Sequence, residues 1–172
     1  EARWYTRAVP KVSVVLITLN EALHINDALA SVAWADEIVV VDSGSTDDTV
    51  GLATQHTDRV SHRDWTGYGA QKDHATSLAS HDWVLSLDAD ERITPELAAE
   101  ITAHVRGDAP PTHRGYRIPR TTQYAHRWIR TTDWYPDYQL RLYDRRVASW
   151  SDDLVHESVQ LDGPVGTLTH DI

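Results

Sequence analysis

The chain has 172 residues, a net charge of −10, 41% hydrophobic and 24% charged residues, and no cysteine. That length fits one domain with a substantial core. The acidic balance argues against a nucleic-acid partner, which needs a basic surface to displace phosphate counterions, and without cysteine there is neither a disulfide framework nor a thiolate metal site. No segment approaches the ~20 apolar residues of a membrane-spanning helix and no signal peptide is seen, so the expected location is the cytoplasm. Seven Trp and seven Tyr beside no Phe and no Met point to a trimmed or redesigned chain.

In chain order, residues 11–18 (KVSVVLIT) form a β-branched run, the pattern of a strand buried on both faces. Ile25, Leu29 and Val32 recur at helical spacing in 24–35, and 37–42 (EIVVVD) is a second buried strand. A helix is predicted over 45–56, after capping residues and acids, a short edge strand over 58–62, and a helix over 68–80. A strand at 82–88 leads to a helix at 94–105 that starts with Thr-Pro, a cap followed by the residue favoured at the first helical position. Strands alternating with helices imply an α/β class: an open, mostly parallel sheet covered on both faces. After a linker at 106–115 the pattern becomes smaller and mixed, with strands at YRIP and DYQLRLYD and a hairpin predicted around Asp162-Gly163-Pro164. Residues 1–110 and 111–172 are therefore expected to be two halves of a single domain.

Ligands of such sheets bind beyond the carboxyl ends of the strands. Three predicted strand ends carry polar clusters: TLNE (18–21), DSGSTDD (42–48) and DADE (88–91). Along an extended strand Asp88 and Asp90 would point the same way, about 6.6 Å apart. One carboxylate could accept hydrogen bonds from a ribose while the other holds a magnesium or manganese ion that also binds phosphate oxygens. The competing reading is a solvated turn in which Asp90 or Glu91 caps the next helix.

Four ordered stretches, PKVSVVLITLNE, ADEIVVVDSGSTDDT, WTGYGAQKDHA and DWVLSLDADE, resemble the start of a family 2 glycosyltransferase with the GT-A fold. WYPDYQLRLYDRR and DDLVHESV are similar to the bacterial lipopolysaccharide-core glucosyltransferase branch, and the resemblance covers about residues 10 to 172. It implies a UDP-sugar donor, a divalent cation, a saccharide acceptor such as a lipid-linked inner-core heptose, and contact with the inner face of the bacterial inner membrane. Thr18, Asn20, Glu21 and Asp42 are then expected to frame the nucleobase, with Ser43, Gly44 and Ser45 as a tight turn beside it, Gln71 and Lys72 near the nucleotide, and Asp88 on the ribose. Asp90 and His156 are the expected metal ligands.

On the acceptor side, a strand at DYQLRLYD would turn Leu140 and Leu142 to the core and put Asp137, Gln139 and Arg141 on the other face. An inverting transfer needs a base for the acceptor hydroxyl. Asp137 is the first candidate and Glu157 its rival. Arg141 suits phosphate oxygens, and Trp65, Trp134 and Tyr135 are candidates for stacking on sugar faces. The departures from the family fall on this side: Thr131, Thr132 and Asp133 stand where glycines are usual, Tyr143 replaces a Phe, and the family continues for several dozen residues. Two other classes stay open. A nucleotidyltransferase would need a Gly-rich, Arg/Lys-bearing loop after the first strand, where TLNEALH stands. A catalytically silent scaffold would bind nucleotide at most.

Overall fold

The computed structural model describes residues 9–107, 109, 111–124, 127–129, 135–151 and 157–172. The first half runs β1 (Val12–Thr18), α1 (Ile25–Ser31), β2 (Glu37–Asp42), α2 (Thr49–Ala53), β3 (Val60–His62), α3 (Tyr68–Leu78), β4 (Trp83–Asp88) and α4 (Pro95–Arg106). The second runs β5 (Gly115–Arg120), β6 (Thr122–Tyr124), β7 (Arg127–Ile129), β8 (Asp137–Asp144), β9 (Ala148–Trp150), β10 (Val159–Leu161) and β11 (Val165–Thr167).

Seven strands form one sheet in the order β11-β5-β8-β4-β1-β2-β3. β4, β1, β2 and β3 are mutually parallel, as expected for strands joined by helices. β8 is antiparallel to both its neighbours, and β11 is parallel to β5. Two small antiparallel pairs, β9 with β10 and β6 with β7, flank the sheet. Successive β1 side chains enter opposite core layers: Val12, Val14 and Leu16 pack with α1 and α4, and Val15 packs with Ala75 of α3. That is why the run is apolar throughout. In α4 the Thr94 hydroxyl accepts from the Leu97 amide at 3.1 Å, with Pro95 at the first position. Its buried stripe of Leu97, Ile101 and Val105 contributes roughly 1.5–3 kcal/mol per side chain. No helix among the described residues is long and apolar enough to cross a membrane.

Four expectations are corrected. First, α2 is shorter than 45–56, because Asp47 accepts from the amides of Thr49 (3.0 Å) and Ala22 (3.2 Å) and holds the preceding chain in a loop. Second, Asp88 and Asp90 do not alternate along a strand. β4 ends at Asp88, where the Glu91 amide donates to the Asp88 carbonyl at 3.0 Å and closes a turn. Third, no hairpin forms around Gly163. β10 pairs with β9, whereas β11 crosses to β5, and Gly163 turns the chain with a φ of 130°. Fourth, Leu140 and Leu142 do not share a face. A β-bulge leaves Arg141 opposite no residue of β5, since Tyr116 pairs with Leu142 and Arg117 with Leu140. Leu142 therefore joins the α1/α4 layer and Leu140 the α3 layer.

Candidate active site

The polar ends of β1, β2 and β4 open on one edge, as parallel neighbours must. Their loops are knitted together first. The Asn20 amide donates to Ser45 Oγ and the Thr46 amide to Asn20 Oδ1, both at 2.8 Å, and Asn20 takes a left-handed φ of 56°. The Glu21 amide donates to Thr49 Oγ1 at 2.8 Å. Buried Asp42 accepts from the Gly44 and Ser45 amides at 2.9 Å each, a turn that needs the positive φ of Gly44. Buried Gln71 donates to Ser43 Oγ at 2.9 Å. Thus Asn20, Asp42, Ser43, Gly44 and Gln71 serve the scaffold of the edge.

Thr18 and Glu21 instead line a cleft of about 580 Å³ with Leu19, Trp65, Tyr68 and Asp90. Thr18 is 4% exposed and its buried hydroxyl has no partner among the described residues. The Trp65 and Tyr68 rings meet edge to face at 4.6 Å and are about half exposed, a wall suited to a planar base or a sugar face. Burial and the neighbouring Asp90 push the Glu21 carboxyl above the usual range. Asp90 itself is exposed and its carboxylate has no ion pair or hydrogen bond among the described residues.

Lys72, Asp88 and Glu157 close the inner end of this cleft and also line a second cavity of about 210 Å³, with Arg120, Gln139, Arg141 and Trp150. The partition is ionic. Asp88 takes Lys72 Nζ on one oxygen at 3.0 Å and Arg141 Nη2 on the other at 2.6 Å. Arg141 also reaches Glu91 at 2.7 Å, and Glu91 accepts from the Asp88 amide at 3.0 Å. Lys72 bonds Glu157 at 3.1 Å. Burial alone would raise the Asp88 pKa, but the Arg141 and Lys72 charges outweigh it and hold it at about 2. Glu91 goes the other way: burial, with the Asp88 charge beside it, pushes it up against the pull of Arg141. Arg141 is 4% exposed and stays charged: burial opposes the charge, and Glu91 and Asp88 outweigh that.

Lys72 is itself held. Its ammonium lies 4.9 Å from the centre of the Trp150 ring. The Trp150 indole donates to the Tyr143 hydroxyl at 3.0 Å, and that hydroxyl shares a 2.8 Å hydrogen bond with buried Thr76. Burial pushes the Tyr143 phenol up to about 12. Gly69 lets the chain after β9 lie against α3, since a Cβ there would stand 2.1 Å from the Ser151 carbonyl oxygen.

The two base candidates sit differently. Asp137 takes Nε and Nη2 of Arg120 at 3.0 and 2.6 Å and Gln139 Nε2 at 2.7 Å. Glu157 lines both cavities. The Tyr135 hydroxyl donates to Asp171 at 2.8 Å. Trp134 and His156 lie outside the described residues. Among the described residues no group of three His, Asp or Glu side chains could hold a metal. Sequence reasoning missed Arg120, Glu91 and Trp150. Glu91 stood inside the acidic stretch and was weighed only as a helix cap, while no local pattern announced the other two.

The Glycosyl transferase family 2 model matches residues 13–156. A Rickettsia felis protein described as an uncharacterized glycosyltransferase is 37% identical over 155 residues, covering 87% of this chain and 54% of that protein. The lipopolysaccharide core biosynthesis glycosyltransferase LpsC of Rhizobium meliloti is 31% identical over 169 residues, covering 92% of this chain and 61% of that protein. The chain thus spans about half the length of the Rickettsia relatives it matches. S. aureus TarS 1–349 matches with a TM-score of 0.51 and 28% identity, over 64% of this chain and 35% of that one. Its complex with UDP-GlcNAc matches with a TM-score of 0.56 and 22% identity, over 78% and 45%. The expected GT-A fold is borne out, and the chain belongs to glycosyl transferase family 2.

Proposed function

We propose that this chain carries the donor-binding and catalytic part of an inverting glycosyltransferase that moves glucose from a UDP-sugar to a saccharide acceptor, an inner-core heptose on a lipid carrier. The observation that carries it is the cleft itself: the Trp65–Tyr68 wall and the carboxylates of Glu21, Asp88, Asp90 and Glu157 meet beyond the carboxyl ends of parallel strands. The similarity to LpsC supports the acceptor class. A lipid-linked acceptor would place the enzyme at the cytoplasmic face of the inner membrane.

The donor set fits a hard divalent cation. The Asp90 carboxylate has no ion pair among the described residues, Glu21 is near enough to feel its charge, and such ions take one or two carboxylates plus phosphate oxygens. Asp90 and Glu21 would hold magnesium or manganese, which when bound neutralises charge developing on the diphosphate. Asp88, with both oxygens committed to Lys72 and Arg141, acts mainly by fixing those cations beside the leaving group.

The acceptor sits in the second cavity, and Glu157 is the favoured base because it lines that cavity as well as the cleft. As the acceptor oxygen bonds to the anomeric carbon, the bond from that carbon to the diphosphate breaks and the hydroxyl proton passes to Glu157. Asp137, held by Arg120 and Gln139, orients the cavity wall. Calorimetric titration of UDP, with and without manganese, into the wild type and Asp90→Ala tests the donor site. Manganese-dependent binding lost in the variant is expected, and no binding in either protein would refute it. UDP release from UDP-glucose in the presence of a heptose acceptor tests turnover. Loss of release in Glu157→Gln with retention in Asp137→Asn assigns the base, and the reverse assigns Asp137.

A further inference from the structure

At the sheet edge opposite the cleft, β8 runs out at Asp144, where β4 begins and the chain enters β1 and β5. Asp144 is fully buried. Its Oδ2 accepts from Arg114 Nη1 at 3.0 Å and from Arg146 Nη2 at 2.7 Å, while its Oδ1 accepts from Arg146 Nε at 2.8 Å. Burial opposes ionisation of Asp144, but the Arg146 hydrogen bonds outweigh it and hold its carboxyl below the usual range. One buried carboxylate therefore pins two guanidinium groups side by side, each about half exposed. Arg146 spends its remaining nitrogen on Asp82 at 3.1 Å. Arg114 keeps Nε and Nη2 without a partner among the described residues.

These side chains and Lys11 line a cavity of about 670 Å³ against Pro10, Trp83 and Pro111. Three cations face two carboxylates there, in a chain whose overall charge is −10. Lys11, Arg114 and Arg146 outnumber Asp82 and Asp144 by one charge, and a further anion offsets that excess while accepting the spare Arg114 donors. We propose that this cavity is a second binding site, separate from the sugar-transfer cleft, for a phosphate group whose organic part lies against the Pro10–Pro111 wall. The site stands independently of the reading of the cleft. Phosphate of this kind is offered both by soluble phosphate esters and by an anionic lipid headgroup.

The test uses the whole chain at low salt with two probes: inorganic phosphate by calorimetry, and sedimentation with vesicles of phosphatidylcholine alone or with phosphatidylglycerol. Arg114→Gln and Lys11→Glu are expected to weaken binding about tenfold or more, and Lys72→Met, at the other edge, to leave it unchanged. Lys11 is exposed and outside the Asp144 bonds, so its variant stays informative if Arg114→Gln lowers stability. Phosphate binding with that pattern supports the site and a soluble ligand. Binding only to phosphatidylglycerol vesicles, with the same pattern, supports the site and a lipid ligand. No binding to either probe, or binding indifferent to both variants, overturns the proposal. Phosphate binding abolished by Lys72→Met also overturns it and assigns the ion to the cleft. A failed UDP titration at the cleft leaves this outcome untouched.

Discussion

The sheet on either side of the β4–β8 seam is assembled by different rules. From Val12 to Arg106 each strand is followed by a helix and lies parallel to its neighbours within this half, β1 pairing with β2 on one side and with β4 on the other. From Gly115 to Thr167 no helix intervenes and the directions are mixed: β8 inserts antiparallel between β5 and β4, β11 returns to the far edge, and β6–β7 and β9–β10 pair locally. Opposite charges cross the seam in both directions: Arg141 of β8 lies between Asp88 and Glu91, and Lys72 of α3 pairs with Glu157 as well as Asp88. The candidate site is thus the place where the two halves are electrostatically complementary.

Removing the Arg141 cation should break the comparison most severely. Arg141→Leu leaves the nearly buried Glu91 carboxyl without its closest cation and half-buried Asp88 with Lys72 alone, and should cost about 3–5 kcal/mol, measured as a fall in the urea midpoint. If the stability stays within 1 kcal/mol or so of wild type, the seam does not depend on this charge.

Acid should act through the same contact with a smaller effect. The folded Asp88 pKa of about 2 lies below the ordinary carboxylate value of about 4, so its stabilisation is complete above that ordinary value. It is lost as the pH falls toward 2, a loss of roughly 2 kcal/mol. Urea midpoints between pH 5 and pH 2 should show this drop, and in Asp88→Asn the drop should be shallower.

Next comes the contact of α3 with the chain beyond β9. Gly69→Ala puts a methyl group into the Ser151 carbonyl and should cost about 1–3 kcal/mol. It should also raise the UDP concentration needed for half-saturation, because Lys72 and Glu157 meet at this contact. The smallest effect belongs to the locally built half. Thr94→Ala removes the cap of α4 and should cost about 1 kcal/mol in thermal unfolding, with UDP affinity unchanged.

How much could be known beforehand divides along the same seam. The β-branched runs at β1, β2 and β4, the Thr-Pro start of α4 and the shared opening of three polar strand ends were all legible, because each rests on periodicity or capping within a few residues. The Asp-Gly-Pro turn after β10 was also real, yet the hairpin inferred from it was not. A turn fixes a reversal and leaves the choice of partner to packing, and here β11 pairs with a strand 50 residues away. Asp88 was recognised as a site residue, but its partners Lys72 and Arg141 lie 16 and 53 positions off, beyond any local pattern. The face of Arg141 was beyond reach for a different reason, since a bulge breaks the alternation on which the inference rested.

That bulge gives β8 a reading frame of its own. Deleting one residue between Gln139 and Leu142 would restore an ideal ladder with β5, improve the backbone pairing, and remove or turn away the guanidinium that holds the acidic strand end. In this strand a better-formed sheet and a working site are alternatives. Sequence drift in the family should therefore tolerate changes of side chain along β8 far more readily than a change in its length.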